Sequence, residues 1–284
     1  MTNIRIIPRI DIKGPNLVKG IHLEGLRVLG KPSEFAKLYY ESGADELLYM
    51  DVVASLYERN SLKDIISETV KDIFIPLTVG GGLRSVEDIK EVLRAGADKV
   101  SLNTAAIKNP QIIRDASRKF GSSTIVVAIE AIKQPNGEYF CFVDNGRDYT
   151  GVEVVQWAKQ VEELGAGELI ITSVDREGTG KGFDLDLVKL IAMNVNIPVI
   201  AHGGAGKQSH FLEVIQNCNI DAVCGASIFH YNVIKDSPTQ LSDFAEGNVD
   251  FLLSGKKMKT IEPTTIEDLK AYLLDQNVKL RGRA

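Results

Sequence analysis

The sequence predicts a closed (β/α)₈ barrel, in which eight parallel β-strands are each followed by a helix. Two observations predict it. Short apolar runs alternate along the whole chain with patterns typical of amphipathic helices, and the second half of the chain repeats the first. Eight units built from two equivalent halves favour a closed barrel over an open doubly wound sheet. The predicted strands cover 4–10, 46–51, 76–79, 99–102, 124–130, 168–173, 199–201 and 222–224.

Helix start signals follow these strands. Ser, Thr, Asp or Pro stands at several of the points where a helical pattern begins, as is typical of helix N-termini. Predicted helices begin near Pro32, Ser61, Ser85, Pro110, Val152, Asp184, Gln208 and Thr264.

The stretch 75–104 contains a strand, a glycine loop, a helix and a second strand. Three glycines at 80–82 close the first strand, and Ser85 with Asp88 three residues later predicts a capping box at the start of a helix. Glycines let backbone N–H groups approach a ligand closely, and a helix N-terminus behind them favours an anion such as phosphate. A tight turn without a ligand is the alternative interpretation.

A second unit of the same kind spans 197–227. Gly82 corresponds to Gly204, an offset of 122 residues, and after a one-residue slip 103–104 falls on 226–227. We therefore expect one barrel domain over residues 1–284, made of half-barrels of about 1–122 and 123–284. Each half would carry one glycine loop and one strand end with small residues.

Composition limits the possible classes of protein. The chain has 284 residues, 44% of them hydrophobic and 25% charged, which is enough to bury a full core without a metal or disulfide. A net charge of −5 with both signs interspersed argues against nucleic-acid or membrane-surface binding. Cys141, Cys218 and Cys224 are odd in number and lack metal-ligand spacing, so we interpret them as packing thiols in a reducing compartment. No metal and no cofactor is expected.

The sequence shows no targeting or membrane-spanning segment. No apolar run approaches the roughly 20 residues that span a bilayer, and the N-terminal residues lead into a strand without a signal peptide. We expect a soluble, cytoplasmic protein.

Three segments exceed a minimal barrel. The glycine-punctuated stretch 13–29 is expected to be a loop that folds over the barrel as a lid. Residues 131–150 predict a small hairpin with its turn at 135–137. An insertion at about 235–263 precedes the final helix.

Polar residues stand at the ends of the predicted strands, where a barrel of this class carries its site. Asp11 ends the first strand and Glu130 the fifth, at equivalent positions of the two halves and on opposite sides of the barrel. Paired carboxylates suit general acid and base catalysis. Alternatively, either one caps a neighbouring helix or binds loop amides. Two anion sites are predicted, one at Gly81, Gly82, Asn103 and Thr104 and one at Gly203, Gly204, Ala226 and Ser227. They imply a ligand with a phosphate at each end.

These residues belong to a larger set of motifs. They are Asp11, Lys19 with its neighbours, Asp51, VGGG at 79–82, GADKVSLNTAA at 96–106, VVAIE at 126–130, Asp175 to Thr179, GGAGK at 203–207 and Ala226 to His230. With them the chain resembles the cyclase subunit of imidazole glycerol phosphate synthase, the amidotransferase of histidine biosynthesis. The resemblance covers 5 to about 230 and resumes at the last helix. It implies a heterodimer with a glutaminase subunit that docks at the N-terminal face of the barrel and supplies ammonia through it.

The resemblance also implies roles for single residues. Arg5, Glu46, Lys99 and Glu168 stand at strand starts and match the family's ammonia gate, although a purely structural ion network is the alternative. Asp98 matches a residue that contacts the glutaminase. Ligand binding is implied for Lys19, Asp51, Glu177 and Gly178.

The chain also departs from the family pattern. Glu130 and Glu177 stand where the cyclases have Asp, Arg9 replaces a small residue, and His202 replaces a serine. Arg9 should face inward with Asp11, because side chains two apart on a strand share a face. An inward arginine needs an acidic partner, for which we expect Asp51 or Glu130. A carboxylate paired with Arg9, whether Glu130 or Asp11, would keep a low pKa and stay ionised. His202 is expected either to bind the ligand or to pack within its loop.

The chain resembles a paralogue more closely, the cyclase-like protein of acetamidino sugar modification in bacterial surface polysaccharides. The features that carry this resemblance are Arg9, Glu130, Glu177, the insertion at about 235–263 and the stretch 7–30. The paralogue works with a glutaminase-like subunit and an ATP-dependent amidotransferase, and its barrel delivers ammonia. We therefore expect an ammonia conduit of this kind, with a true histidine-pathway cyclase as the alternative. A non-catalytic scaffold that binds a phosphorylated ligand is the alternative from another class. A sugar-phosphate isomerase is disfavoured, because it would need no ammonia gate.

Overall fold

The strands form one closed parallel barrel. In the computed structural model, which describes residues 3–53, 62–236 and 260–282, eight parallel strands pair in the order β1, β4, β5, β6, β7, β10, β11 and β12, and β12 pairs back to β1. The predicted (β/α)₈ fold is confirmed. The strands are β1 (Arg5–Lys13), β2 (Asn16–Ile21), β3 (Glu24–Gly30), β4 (Leu47–Asp51), β5 (Leu77–Gly80), β6 (Lys99–Leu102), β7 (Ile125–Lys133), β8 (Tyr139–Val143), β9 (Asp148–Glu153), β10 (Glu168–Ser173), β11 (Val199–His202) and β12 (Ala222–Gly225).

Helices surround the barrel. They are α1 (Pro32–Glu41), α2 (Leu62–Thr69), α3 (Val86–Ala95), α4 (Thr104–Lys108), α5 (Gln111–Phe120), α6 (Val154–Leu164), α7 (Leu185–Ala192), α8 (Gln208–Asn217), α9 (Ser227–Asp236) and α10 (Ile266–Asp275). The capping box is present, since Ser85 Oγ accepts from Asp88 N at 3.1 Å and Asp88 Oδ2 accepts from Ser85 N at 2.9 Å. The sequence did not predict α4 and α9, which begin directly at strand ends. Within the described residues, no helix is both long and apolar enough to cross a bilayer.

Strand register reproduces the internal repeat. Leu47 of β4 aligns with Leu77 of β5, and Leu169 of β10 aligns with Val199 of β11, 122 residues later on both strands. Between β5–β6 and β11–β12 the offset is 122 on the first strand and 123 on the second, where the sequence contains its one-residue slip. The register supports our proposal that two homologous half-barrels form the domain.

Each half carries an antiparallel hairpin after its first strand. The stretch 13–29, which we expected to be a loop, contains β2 and β3, which pair with β1 and with each other. The expectation was wrong because the glycines occupy turns and edges of a hairpin. In the second half, β7 pairs with β8 across a turn closed by Gln134 N donating to Glu138 O at 2.7 Å. The hairpin predicted for 131–150 is therefore present, and β9 adds a third strand. Most of the predicted insertion at about 235–263 lies outside the described residues.

The barrel has an apolar interior layer. Side chains that point inward from different strands form one cluster, which includes Ile7, Leu48, Val126, Ile170, Ile200 and Cys224. A larger cluster fills the space between the strands and the helices. Cys141 and Cys218 are buried outside the barrel and Cys224 inside it, all three as free thiols. The interior layer separates the two polar ends of the barrel.

Candidate active site at the carboxyl ends of the barrel strands

Four charged residues form a closed ion ring at the strand starts. Arg5 Nη1 donates to Glu46 at 2.8 Å, and its Nη2 contacts Glu168. Lys99 Nζ donates to the same two carboxylates at 2.9 and 3.2 Å. Burial would raise the pKa of Glu46, but Arg5 and Lys99 outweigh it and hold that pKa below its usual value. The structure thus brings together the four residues of the predicted gate, which we call the ion ring.

Asp98 lies on the same face as the ion ring. Its exposed carboxylate accepts from Leu77 N at 2.8 Å and so caps the start of β5. Its repeat mate Asp221 does the same for Val199 at 3.1 Å. Phe74, which precedes β5, is 80% exposed. The face therefore combines an exposed aromatic ring with charged groups.

At the opposite end, which we call the mouth, Asp11 is the centre of a buried charge network. Arg9 Nε donates to Asp11 Oδ1 at 2.6 Å, and Lys19 Nζ lies 3.3 Å from Asp11 Oδ2. The expectation that Arg9 pairs with Asp51 or Glu130 was wrong, because Asp11 lies two residues along the same strand face and is nearer. Burial opposes ionisation of Asp11, but Arg9 and then Lys19 hold its pKa far below the usual range. Asp11 is therefore ionised at any physiological pH.

Glu130 faces the mouth in a different electrostatic state. Its side chain is buried, and Oε2 accepts from Gly146 N at 3.0 Å. Burial raises the pKa of Glu130 to about 7, against the lowering effects of Arg9 and the Gly146 amide. The expectation that Arg9 keeps its partner ionised holds for Asp11, which accepts its Nε–H, and not for Glu130. The two carboxylates thus differ, and only Glu130 can exchange a proton near neutral pH.

Lys19 and Glu177 hold the β2–β3 hairpin against the barrel. Lys19 Nζ donates to Glu177 as well as to Asp11, and Glu177 Oε2 accepts from Leu23 N at 3.3 Å. Gly178 is needed here, because a Cβ at this position would lie 2.7 Å from Gly20 O and its φ is +71°. These three residues were predicted to bind ligand. In the structure they close the hairpin over the mouth.

The first predicted anion site lines a cavity of about 320 Å³, at the lower end of the range for small-molecule sites. Gly81, Gly82, Asn103, Thr104, Asp51 and Glu130 all line it, together with Arg84, Lys108, Asp144 and Asn145. Gly81 has φ +96°, and a Cβ there would lie 2.2 Å from Asp51 O. Arg84 and Lys108 were not predicted as site residues, although Arg84 could have been found from its position two residues after the glycine loop.

The second predicted anion site lies at the start of α9. Ala226 and Ser227 are buried there, and Gly203 and Gly204 adopt φ +94° and +103°. His202 lies below it in the interior, with Nδ1 3.0 Å from Thr172 Oγ1. Burial, Arg9 and Lys19 together hold the pKa of His202 well below its usual value. His202 is therefore a neutral packing residue in this arrangement.

Gly204→Ala is expected to lower the free energy of unfolding by about 3 kcal/mol or more. The new Cβ would lie 2.1 Å from Gly182 O, in addition to backbone strain of about 1–3 kcal/mol at a positive φ. Gly121→Ala is the matched control, since Gly121 has φ +93° but nothing within 4 Å of a Cβ, and it should cost only the strain. Urea unfolding of both variants measures the difference. Equal costs would show that the second glycine loop shifts to accept a side chain.

The geometry defines the class of protein. It is a (β/α)₈ barrel with two buried carboxylates and glycine loops at the carboxyl ends of its strands and an ion ring at their starts. Residues 5–235 match the model of the family described as "Histidine biosynthesis protein". The chain belongs to this family.

Individual relatives agree with the predicted resemblance. A protein of Legionella pneumophila is 58% identical over 211 residues, 74% of this chain and 100% of the relative. Proteins of Alkaliphilus metalliredigens (strain QYMF) and Hydrogenobaculum sp. (strain Y04AAS1) are 45% and 47% identical, over 83% and 86% of this chain and 93% and 97% of the relatives. All three are named imidazole glycerol phosphate synthase subunit HisF. They favour the cyclase alternative over the conduit for sugar modification.

Proposed function

We propose that this chain is the cyclase subunit of an imidazole glycerol phosphate synthase, an enzyme of histidine biosynthesis. The observation that carries the proposal is Glu130, a buried carboxylate that lines the cavity of the first glycine loop, where burial raises its pKa to about 7. A general acid or base works best when its pKa is near the working pH. A barrel that only conducted ammonia would gain nothing from such a group.

The two carboxylates take different parts in this proposal. Glu130 gives and takes protons during ring closure. Asp11, held ionised by Arg9 and Lys19, stabilises positive charge that develops on the attacking nitrogen. The glycine loops bind the two phosphates of the ribonucleotide substrate, one at the cavity containing Gly82 and the other at Gly204 and Ser227. The hairpin closed by Glu177 keeps water from the reacting atoms.

Ammonia reaches the mouth from the opposite face. We infer that a glutaminase subunit docks over the ion ring, with Asp98 and Phe74 in the contact, and releases ammonia into the barrel. The interior layer between the ring and the mouth is apolar, which suits neutral ammonia better than ammonium. The assembly would be a heterodimer of this chain with the glutaminase.

A second candidate function is supported by Arg9. The 2.6 Å contact of Arg9 with Asp11 occupies one of the two carboxylates at the mouth. A barrel that no longer catalyses cyclisation could tolerate this contact. In that case the chain would deliver ammonia to a partner, such as an ATP-dependent amidotransferase that makes acetamidino sugars. Neither Asp11 nor Glu130 would then take part in chemistry.

One experiment separates the two candidates. The purified protein is mixed with the family's ribonucleotide substrate and ammonium chloride at about pH 8.5, and product formation is followed. It is then repeated with glutamine and a histidine-pathway glutaminase. Turnover in both assays supports the cyclase. Binding of the glutaminase without turnover in either assay contradicts it and leaves the conduit, whereas loss of both binding and turnover contradicts both functions and leaves a ligand-binding scaffold.

A further inference from the structure

The end of the predicted insertion lies against the second anion site. Residues 260–264, which we call the strap, precede α10 and contact the segments that follow β10, β11 and β12. Ile261 and Thr264 of the strap are buried. The strap is therefore packed into the mouth of the barrel.

The strap holds the loop that follows β10. Thr260 Oγ1 donates to Thr179 O at 2.7 Å. The two backbones approach closely, since a Cβ at Gly180 would lie 2.5 Å from Thr260 O. The same loop supports the glycine pair, because Gly182 N donates to Gly204 O at 2.8 Å. Thr260 is thus connected to Gly204 through one short loop.

The strap also holds the second glycine loop directly. Glu262 N donates to Gly206 O at 2.7 Å, and Gly206 N donates to His210 Nδ1 at 3.1 Å. The φ of Gly206 lies outside the left-handed region, so its backbone conformation does not require glycine. A Cβ there would lie 2.3 Å from Gly180 O and 2.6 Å from Thr260 O. Glycine is needed at this position because three backbones meet there.

Two further bonds connect the strap to the helices that begin at this site. Thr264 N donates to Ile228 O at 3.2 Å, next to Ser227 at the start of α9. Gln208 Nε2, at the start of α8, donates to Thr264 Oγ1 at 2.9 Å. One strap is therefore bonded to all three segments around the second anion site, and none of these bonds involves a residue of the first.

An ordered loop binds an anion more tightly than a loop that the anion must first order, because the cost of ordering is removed beforehand. We propose that the strap positions the second anion site for a phosphate group, with Thr260 as a positioning residue that acts through Thr179. This inference rests on the proposed function, in which the site binds one end of the ribonucleotide substrate. It gives the end of the insertion a part in substrate binding.

The test measures the binding of inorganic phosphate to each site separately. Amide resonances of Gly82 and Thr104 report the first site, and those of Gly204 and Ser227 report the second. They are followed in ¹H–¹⁵N spectra of the deuterated full chain at constant pH and ionic strength. A general loss of folding changes both affinities, whereas loss of a strap contact changes only the second.

We expect Thr260→Val to weaken phosphate binding at the second site about fivefold, the equivalent of one net hydrogen bond of about 1 kcal/mol. The affinity of the first site should not change. Valine keeps the shape of threonine and removes only the hydroxyl group. Thr260→Ser keeps a hydroxyl donor and should return the second site to within about twofold of the wild-type affinity.

Thr124→Val is the matched control. Thr124 Oγ1 donates to Phe120 O at 3.0 Å, directly before the start of β7 and so at the opposite end of the barrel. This variant loses a hydrogen bond of the same kind, from a hydroxyl group to a backbone carbonyl. It should leave both phosphate affinities unchanged.

Other results would contradict the assignment. An unchanged second site in Thr260→Val means that the strap lies on the loop without positioning it. Equal weakening at both sites, or weakening in Thr124→Val as well, means that lost stability explains the effect. If Thr260→Ser binds as weakly as Thr260→Val, the hydroxyl group has no part in it. A wild-type chain that binds no phosphate at the second site contradicts the proposed function itself, and so is distinguished from a failure of the strap alone.

Discussion

Glu130→Gln should reduce turnover from externally supplied ammonia by about 10²–10⁴-fold, the usual contribution of a general acid or base. Glutamine has nearly the shape of a protonated glutamate, so it can occupy the buried position without leaving an unpaired charge. It cannot transfer a proton. The comparison therefore removes the chemistry of Glu130 and preserves most of its packing and the Gly146 contact.

The pH profile provides a second readout of the same variant. With a pKa of about 7, Glu130 is protonated below that pH and ionised above it. If it acts as an acid, kcat/KM of the wild type should fall as pH rises through about 7, and this limb should disappear in Glu130→Gln. Glu213→Gln, on the exposed surface of α8, is the matched control and should keep both rate and profile. Turnover of Glu130→Gln within a few-fold of wild type would favour the ammonia conduit.

The architecture could be predicted because barrel strands and glycine loops leave local patterns. Strands buried on both faces appear as apolar runs. The positive φ of the second and third loop positions favours glycine at the same place in both halves, at Gly81, Gly82, Gly203 and Gly204. The internal offset of 122 residues indicated that the strand–helix units of the first half recur in the second, which predicted eight units in all. Where the pattern depended on pairing between segments, as in β2 and β3, a glycine-rich hairpin was mistaken for a loop.

The electrostatics of the site could be predicted only in part. Strand alternation correctly placed Arg9 and Asp11 on one inward face, but their direct contact depends on side-chain torsions that no pattern encodes. The pKa of Glu130 depends on how completely the surrounding loops exclude water. The exclusion of water depends on segments distant in sequence, such as the turn that contains Gly146. The sequence therefore supplied the candidates, and their protonation states required the folded barrel.

Arg5→Met should lower the free energy of unfolding by about 3 kcal/mol. The substitution leaves Glu46 and Glu168 to share Lys99, with Arg281 3.6 Å from Glu46 as a further cation, in a setting where the ring side chains are only 4% to 19% exposed. Removing one partner of a buried ion pair costs about 3–5 kcal/mol, and the lower figure applies because the ring borders solvent. Lys63→Met is the matched control: Lys63 lies 2.7 Å from Glu91 with both side chains 46% exposed, and it should cost about 0.5 kcal/mol or less.

A double variant tests whether the loss comes from unpaired charge. Adding Glu168→Gln to Arg5→Met removes one of the two carboxylates that Arg5 leaves behind, so that Lys99 is left with a single anion, Glu46. Urea unfolding should then show that at least half of the lost stability returns. If the double variant is less stable than Arg5→Met, the aliphatic part of the Arg5 side chain and its packing explain the loss. Equal costs for Arg5→Met and Lys63→Met would mean that water reaches the ring freely, and the ion ring would then present no electrostatic barrier at the entrance of the barrel.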